Sequence, residues 1–262
     1  MAQALVNPLL ERDELSPTDL IAVVGSRETV ERLQDQIKSG VTLLAAENPQ
    51  ASDVWLTPVQ LLAVKPQRLA DVAATAPTPQ VESSGQPLLI SVLAGVSLER
   101  LQVAFPGRSC VRAVPNTPAL VGAGLTGLAW GSGVTDAQRS WVQALFQPVS
   151  ELVELPEHQL DAFLALTSSG PAYVALMAEA MADGAVAAGM PRRLANHLAH
   201  RTLAGTAALL HERELHPGML KDMVSSPGGT TITGLRKLES AGLRSALIEA
   251  VIAAAERSRE LG

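Results

Sequence analysis

The stretch Leu88-Leu89-Ile90-Ser91-Val92, followed by the helix-compatible Ser97–Phe105 (SLERLQVAF) and then by Ser109–Val114 (SCVRAV), decides the fold. It reads as strand, helix, strand. Apolar runs without polar alternation belong to strands covered on both faces, as in parallel sheets. The pattern continues upstream, with strand candidates at Ile21–Val24, Val41–Leu44 and Leu61–Val64 and a helix candidate at Glu28–Ser39. Residues 1–155 are therefore expected to form an α/β domain, a parallel sheet with helices on its faces. From Pro156 onward Ala, Leu, Met, Glu and Arg dominate. Breaks fall at Gly170-Pro171, Gly189-Met190-Pro191, His216-Pro217-Gly218 and Ser225–Gly229. Apolar residues recur at helical spacing between them, so residues 156–262 are expected to be all-α. The Ala- and Gly-rich faces of 178–190 (AEAMADGAVAAGM) suit either a tight intrachain core or a subunit interface.

Composition narrows the classes of function. With 262 residues, 47% apolar and 18% charged, the chain has enough apolar surface for a substantial core and is not a disordered polymer. The 20 Lys and Arg against 26 Asp and Glu leave a net charge of -6, and aromatics are 3%, which argues against a nucleic-acid partner. No uninterrupted apolar run approaches the roughly 20 residues of a membrane helix. The opening MAQALVNPLLERDEL has acids where a signal peptide carries cations, so a cytoplasmic protein is expected. The single Cys110 excludes intrachain disulfides and reads as a small apolar residue in a strand.

Several motifs need weighing. Gly122, Gly124 and Gly127 form a G-x-G-x-x-G, but it follows a Pro-rich turn and runs into a strand-like LAWGSGV, so it is not read as a phosphate loop. His197 and His200 share a helical face without a nearby carboxylate ligand, and His211-Glu212 lacks a second histidine at Leu215, so no metal is expected. In Leu61–Pro66 an apolar strand ends in Lys65 and Pro66, where open α/β sheets bind ligands, although a surface lysine fits equally. Ser26-Arg27 after the strand Ile21–Val24 suits the 2′-phosphate of NADP, or simply caps the next helix. Lys221–Thr231 (KDMVSSPGGTT) places small residues before a helix beginning near Thr231. Free amides there would attract a carboxylate, while a Ser/Thr-capped helix is the plain alternative.

Taken in order, AVKP (63–66), SVLAGVS (91–97), RAVPNTP (112–118), SSGPAYV (168–174), HPGMLKD (216–222) and VSSPGGTTITGLRKLE (224–239) resemble the signature of the pyrroline-5-carboxylate reductase family. The resemblance implies a Rossmann-like domain followed by a helical dimerisation and substrate domain. It implies hydride transfer from NADPH, with NADH as the other possibility, to the C=N carbon of 1-pyrroline-5-carboxylate, giving L-proline. It also implies intertwined dimers, often assembled into decamers. Ala63, Val64, Lys65 and Pro66 match cofactor contacts, Ala94 the nicotinamide end, and Ser26, Arg27 and Asn48 the adenosine ribose and its phosphate. Thr231 matches a hydroxyl placed against the ring nitrogen. Val224, Ser226, Gly229 and Thr230 match the substrate cradle, and Glu214 a substrate-contacting glutamate contributed by the partner subunit. The chemistry is consistent: a protonated imine accepts hydride readily, so a site of Gly, Ser and Thr need only hold, shield and align its substrate.

The chain departs from the family pattern in two places. In the family a strand and Gly-rich turn run directly into Met-Ala-x-Ala-Leu, whereas this sequence opens at Met1-Ala2-Gln3-Ala4-Leu5. The first strand and the phosphate-binding glycines are thus expected to be missing, with an exposed strand edge and weak or absent cofactor binding. The segment Asp53–Leu61 is also longer than the corresponding strand, and Pro58 interrupts it. Two other readings compete. A hydroxy-acid dehydrogenase would carry a lysine and asparagine on the long helix after the junction, where Tyr173, Glu179 and Asp183 stand instead. A non-catalytic chain would retain only the helical oligomerisation interface.

Overall fold

The computed structural model describes residues 2–79 and 85–261. In chain order the elements are α1 (Ala2–Glu11), β1 (Ile21–Val24), α2 (Arg27–Gln34), β2 (Thr42–Ala45), β3 (Val59–Leu62), α3 (Leu69–Ala73), β4 (Leu88–Ser91), α4 (Leu98–Ala104), β5 (Ser109–Pro115) and β6 (Gly124–Trp130). There follow α5 (Asp136–Phe146), β7 (Ser150–Glu154), α6 (Leu160–Thr167), α7 (Gly170–Ala187), α8 (Arg192–Glu212), α9 (Pro217–Met223), α10 (Thr230–Ser240) and α11 (Leu243–Leu261). The chain packs as two compact units, Met1–Ser168 with Ala254–Gly262, and Ser169–Ala253.

In the first unit the strands lie in two sheets. β1 pairs with β2 in parallel, and a second sheet runs β3-β4-β5-β6-β7. Among the described residues β1 and β3 each keep one unpaired edge. The β3–β4, β4–β5 and β6–β7 pairs are parallel, but β6 runs antiparallel to β5. The sheet is therefore parallel as expected, apart from this one antiparallel pair. The connection at 116–123 is a 3-10 turn closed by Gly122 in the left-handed region (φ 75°). So few residues cannot make a parallel crossover, which needs about a dozen. The first part of Asp53–Leu61 also differs from the strand-like expectation: residues 53–56 belong to the stretch Pro49–Leu56. They form 3-10 turns, and β3 begins at Val59, directly after Pro58.

The core lies on both faces of the larger sheet. On one face Leu62, Leu89, Cys110, Val114 and Ala129 meet Leu69 of α3, Leu98 and Leu101 of α4, and Leu160 of α6. On the other, Leu88, Ile90, Val111, Ala113 and Leu128 meet Leu5 and Leu9 of α1 and Val142 and Phe146 of α5. Alternation along β4 and β5 divides the residues between the two clusters, as a pleated strand requires. Arg108 is buried at the start of β5. It donates to Gln60 Oε1 (2.8 Å) and the Pro77 carbonyl (3.0 Å), and its guanidinium lies 5.2 Å from the centre of the Trp55 ring. Cys110 is fully buried, and desolvation pushes its thiol up to about 11 against the opposing pull of Arg108.

The glycine motif has a packing role. Gly124 and Gly127 lie within β6, where a Cβ on Gly127 would fall 2.8 Å from the Phe163 ring and 3.1 Å from Leu160. Gly127 therefore permits α6 to approach the sheet.

The second unit is built differently. Its buried residues are Ala178, Ala182, Ala195 and Ala199, on α7 and α8. Large apolar side chains such as Leu176, Met181, Leu194, Ile248 and Ile252 are exposed. Glu157–Ala187 is the one stretch among the described residues long and apolar enough to cross a bilayer by length and composition. It is broken between α6 and α7 and carries Asp161, Glu179 and Asp183.

Two outcomes follow from this packing. Gly127→Ala is expected to destabilise the fold by about 1–3 kcal/mol, measured by urea denaturation at fixed protein concentration. At pH 8 only about one Cys110 thiol in a thousand is ionised. Iodoacetamide should therefore alkylate the native protein at least about a hundredfold more slowly than the denatured chain.

Candidate active site

Parallel pairing gathers strand ends at one edge of each sheet. Val24 of β1 lies opposite Ala45 of β2, and the Ala46 amide donates to the Val24 carbonyl at 2.8 Å. Gly25-Ser26-Arg27 and Ala46–Asn48 therefore leave the same edge of the smaller sheet. Ser26 caps α2 by accepting from the Thr29 amide at 3.3 Å. Asn48 caps the following 3-10 turn through its Oδ1, which accepts from Gln50 N at 2.9 Å and leaves the side-chain NH2 free to donate. Arg27 is exposed, and its contact with Glu31 at 3.6 Å is a weak surface pair that does not fix it.

The larger sheet repeats the arrangement. Leu62 of β3 lies opposite Ser91 of β4, and Val92 N donates to the Leu62 carbonyl at 3.0 Å. The turns Ala63–Pro66 and Leu93–Ser97 thus share an edge. Ala63, Val64 and Ala94 are half-buried, while Lys65 is exposed and makes no ion pair among the described residues. Each sheet edge thus carries polar or charged side chains: Ser26, Arg27 and Asn48 on the smaller sheet, and Lys65 beside the small Ala63 and Ala94 on the larger.

In the helical unit Glu214, Val224, Ser226, Gly229, Thr230 and Thr231 lie between the end of α8 and the start of α10. Glu214 follows the last turn of α8 with φ 48°, and the Leu215 amide donates back to Leu210 O at 3.1 Å. This is a Schellman closure with glutamate at the position that favours glycine. Gly228, with φ 66°, turns the chain ahead of α10.

Gly229 is the N-cap of α10 and makes no side-chain cap bond. A serine or aspartate there would occupy the first amides. Glycine leaves the N–H groups of Thr230, Thr231 and Ile232 without intrahelical acceptors. A Cβ on Gly229 would fall 2.3 Å from Ser226 Oγ, so the loop closes tightly around this helix start. Thr231 is half-buried in the first turn, Thr230, Val224 and Ser226 are exposed, and the Oγ of Ser225 is buried without a hydrogen-bond partner among the described residues. His197 and His200 are both exposed on α8.

Sequence reasoning left Asn116 without a role. Its Oδ1 accepts from Leu125 N at 2.8 Å and its Nδ2 donates to the Thr167 carbonyl at 3.0 Å. It ties β5, β6 and the end of α6 together, so the Pro-Asn-Thr-Pro turn is a structural knot. The available signal was a polar residue between two prolines immediately after an apolar strand.

Comparison with known proteins identifies the family. Residues 157–261 match the pyrroline-5-carboxylate reductase dimerisation family. The pyrroline-5-carboxylate reductase of Synechocystis sp. is 47% identical over 262 residues, covering 100% of this chain and 95% of that protein. The Escherichia coli (strain K12) enzyme of the same name is 36% identical over 262 residues, covering 100% and 94%. Among solved structures, the Plasmodium falciparum pyrroline carboxylate reductase with NADP bound superposes with a TM-score of 0.86 at 26% identity, covering 99% of this chain and 94% of that one. The Streptococcus pyogenes 1-pyrroline-5-carboxylate reductase gives 0.85 at 26% identity, covering 98% and 95%. The dimerisation match agrees with a helical unit that exposes its large apolar side chains, and it indicates a homo-oligomer. The chain belongs to the pyrroline-5-carboxylate reductase family, NAD(P)H-dependent oxidoreductases that reduce 1-pyrroline-5-carboxylate to L-proline.

Proposed function

We propose that residues 1–155 serve as the dinucleotide-binding part and residues 156–262 as the dimerisation and substrate part of this reductase. Ser26, Arg27 and Asn48 hold the adenosine ribose and its 2′-phosphate, which favours NADPH over NADH. Ala63, Val64, Lys65, Pro66 and Ala94 line the path to the nicotinamide. The cofactor, when bound, supplies the hydride that reduces the C=N carbon of the substrate.

The substrate carboxylate is held by the open amides of Thr230 and Thr231 at the glycine-capped start of α10, with Ser226, Gly229 and Val224 closing the cradle. This bare helix start is the observation that carries the assignment. The Thr231 hydroxyl stands where it can hydrogen-bond the ring nitrogen. Glu214 reaches the substrate of the partner subunit. The helical units pair into a homodimer through their exposed apolar faces, the dimers group into decamers, and the enzyme works in the cytoplasm.

The test is oxidation of NADPH that depends on added 1-pyrroline-5-carboxylate. The assay uses NADPH high enough to offset the weak cofactor binding expected of this sequence, and no turnover above background there would refute the assignment. Thr231→Ala is expected to lower kcat about 10- to 100-fold, and unchanged turnover and substrate affinity would remove the hydroxyl from the reaction. Glu214→Gly should act in opposite directions on stability and activity. It relieves the left-handed backbone and raises stability by about 1 kcal/mol in thermal melting, while kcat/KM falls.

A further inference from the structure

Among the described residues the most buried ion pair joins Arg112 and Glu157, whose side chains are 5% and 33% exposed. Arg112 lies in β5 between Ser91 of β4 and Ala129 of β6, in the pleat of Cys110 and Val114, whose face α4 and α6 cover. Its Nη1 donates to Glu157 Oε1 at 2.8 Å, and the same oxygen accepts the backbone N–H of Leu98 at 2.6 Å. Leu98 is the first residue of α4, and Glu157 opens the 3-10 turn that leads into α6. One carboxylate oxygen therefore joins a central strand, the start of one helix and the approach to another.

The turn Leu93–Ser97 lies just before this clamp. It contains Ala94 and Gly95, the latter with φ 74°. Its upstream end is fixed by the bond from Val92 N to Leu62 O at 3.0 Å, and its downstream end by Ser97 Oγ on Arg100 N and by Glu157 on Leu98 N. Leu93 and Val96 are buried in the core, while Ala94 and Gly95 between them have no side-chain bracing of their own. The Glu157 charge also complements the amide dipoles at the start of α4, and the buried guanidinium fixes where that charge sits.

We propose that Glu157 and Arg112 are positioning residues for hydride transfer: together they hold the Leu93–Ser97 turn in the conformation against which the nicotinamide is aligned. The proposal rests on the assignment of Ala94 to the nicotinamide end. Neither residue touches the reacting atoms. Their contribution is to narrow the spread of donor–acceptor geometries, and small displacements there are expensive in rate.

The test compares wild type, Glu157→Ala and the conservative Glu157→Gln, which keeps an oxygen acceptor for Leu98 and removes the charge. In the protein without cofactor, hydrogen exchange in the 93–101 segment should accelerate about tenfold or more in Glu157→Ala and less in Glu157→Gln. In turnover with pyrroline-5-carboxylate, kcat should fall about 10- to 100-fold in Glu157→Ala. KM for the imino acid should change less than about threefold. The isotope effect with NADPH deuterated at the transferred position should rise, and Glu157→Gln should recover part of the rate. A purely structural tie would instead lower the melting temperature and leave kcat and the isotope effect of the folded protein unchanged, which overturns the proposal. Wild-type protein without imino-acid-dependent turnover even at NADPH raised to offset weak cofactor binding would refute the assigned reaction. The exchange measurement would still judge the clamp, and unchanged exchange in both variants overturns it.

Discussion

The parallel ladder joining β3, β4 and β5 is the constraint on which the rest of the sheet unit depends. Every residue of β4 and β5 is buried, so both faces must be covered at once, and a slip of one residue would exchange the two apolar clusters. That fixes the register. Register in a parallel ladder brings successive strand ends out along one edge, so the Ala63–Pro66 and Leu93–Ser97 turns become neighbours through backbone hydrogen bonding alone. Leu93 and Val96 then anchor the second turn in the core, and Ala63, Lys65, Ala94 and Gly95 are left at the edge.

The helical unit follows a different rule. Alanines at the α7–α8 contact let two backbones approach closely, but they bury little surface per residue. Larger apolar side chains remain outward on the same helices. A unit of this kind has apolar surface left to bury on association, in keeping with the dimerisation match over 157–261. The unit also carries a glutamate in the left-handed region after α8 and a helix whose cap offers no side-chain acceptor, departures that Asp13 and the uncapped α3 and α6 match in the sheet unit.

Much of the fold was legible because it is written in local pattern. Ile21–Val24 emerges as β1 with the expected bounds, and the breaks at Gly170, Gly189, His216 and Gly229 all separate helices. The reversal at β6 follows from the short 116–123 connection, but the tie that Asn116 makes to Leu125 and to Thr167 was not legible, since periodicity carries no record of such contacts. Arg112 and Glu157 are 45 residues apart for the same reason: each looks ordinary until the sheet and α6 bring them together. At the candidate site Ser26 and Asn48 both cap the elements that follow them, as the plain alternative expects, and both leave the same sheet edge. The cradle proposed around Thr231 rests on a long run of residues resembling a family, which spacing alone would not have distinguished from an ordinary capped helix.

The glycine that begins α10 has one more consequence. Peptide dipoles gain and lose no protons across the range in which proteins stay folded, so an anion seated there is gripped equally at mild acidity and mild alkalinity. A bell or slope in the rate against acidity must then originate elsewhere, and the nitrogen of the cyclic imine, which has to be cationic to accept hydride, is the natural source.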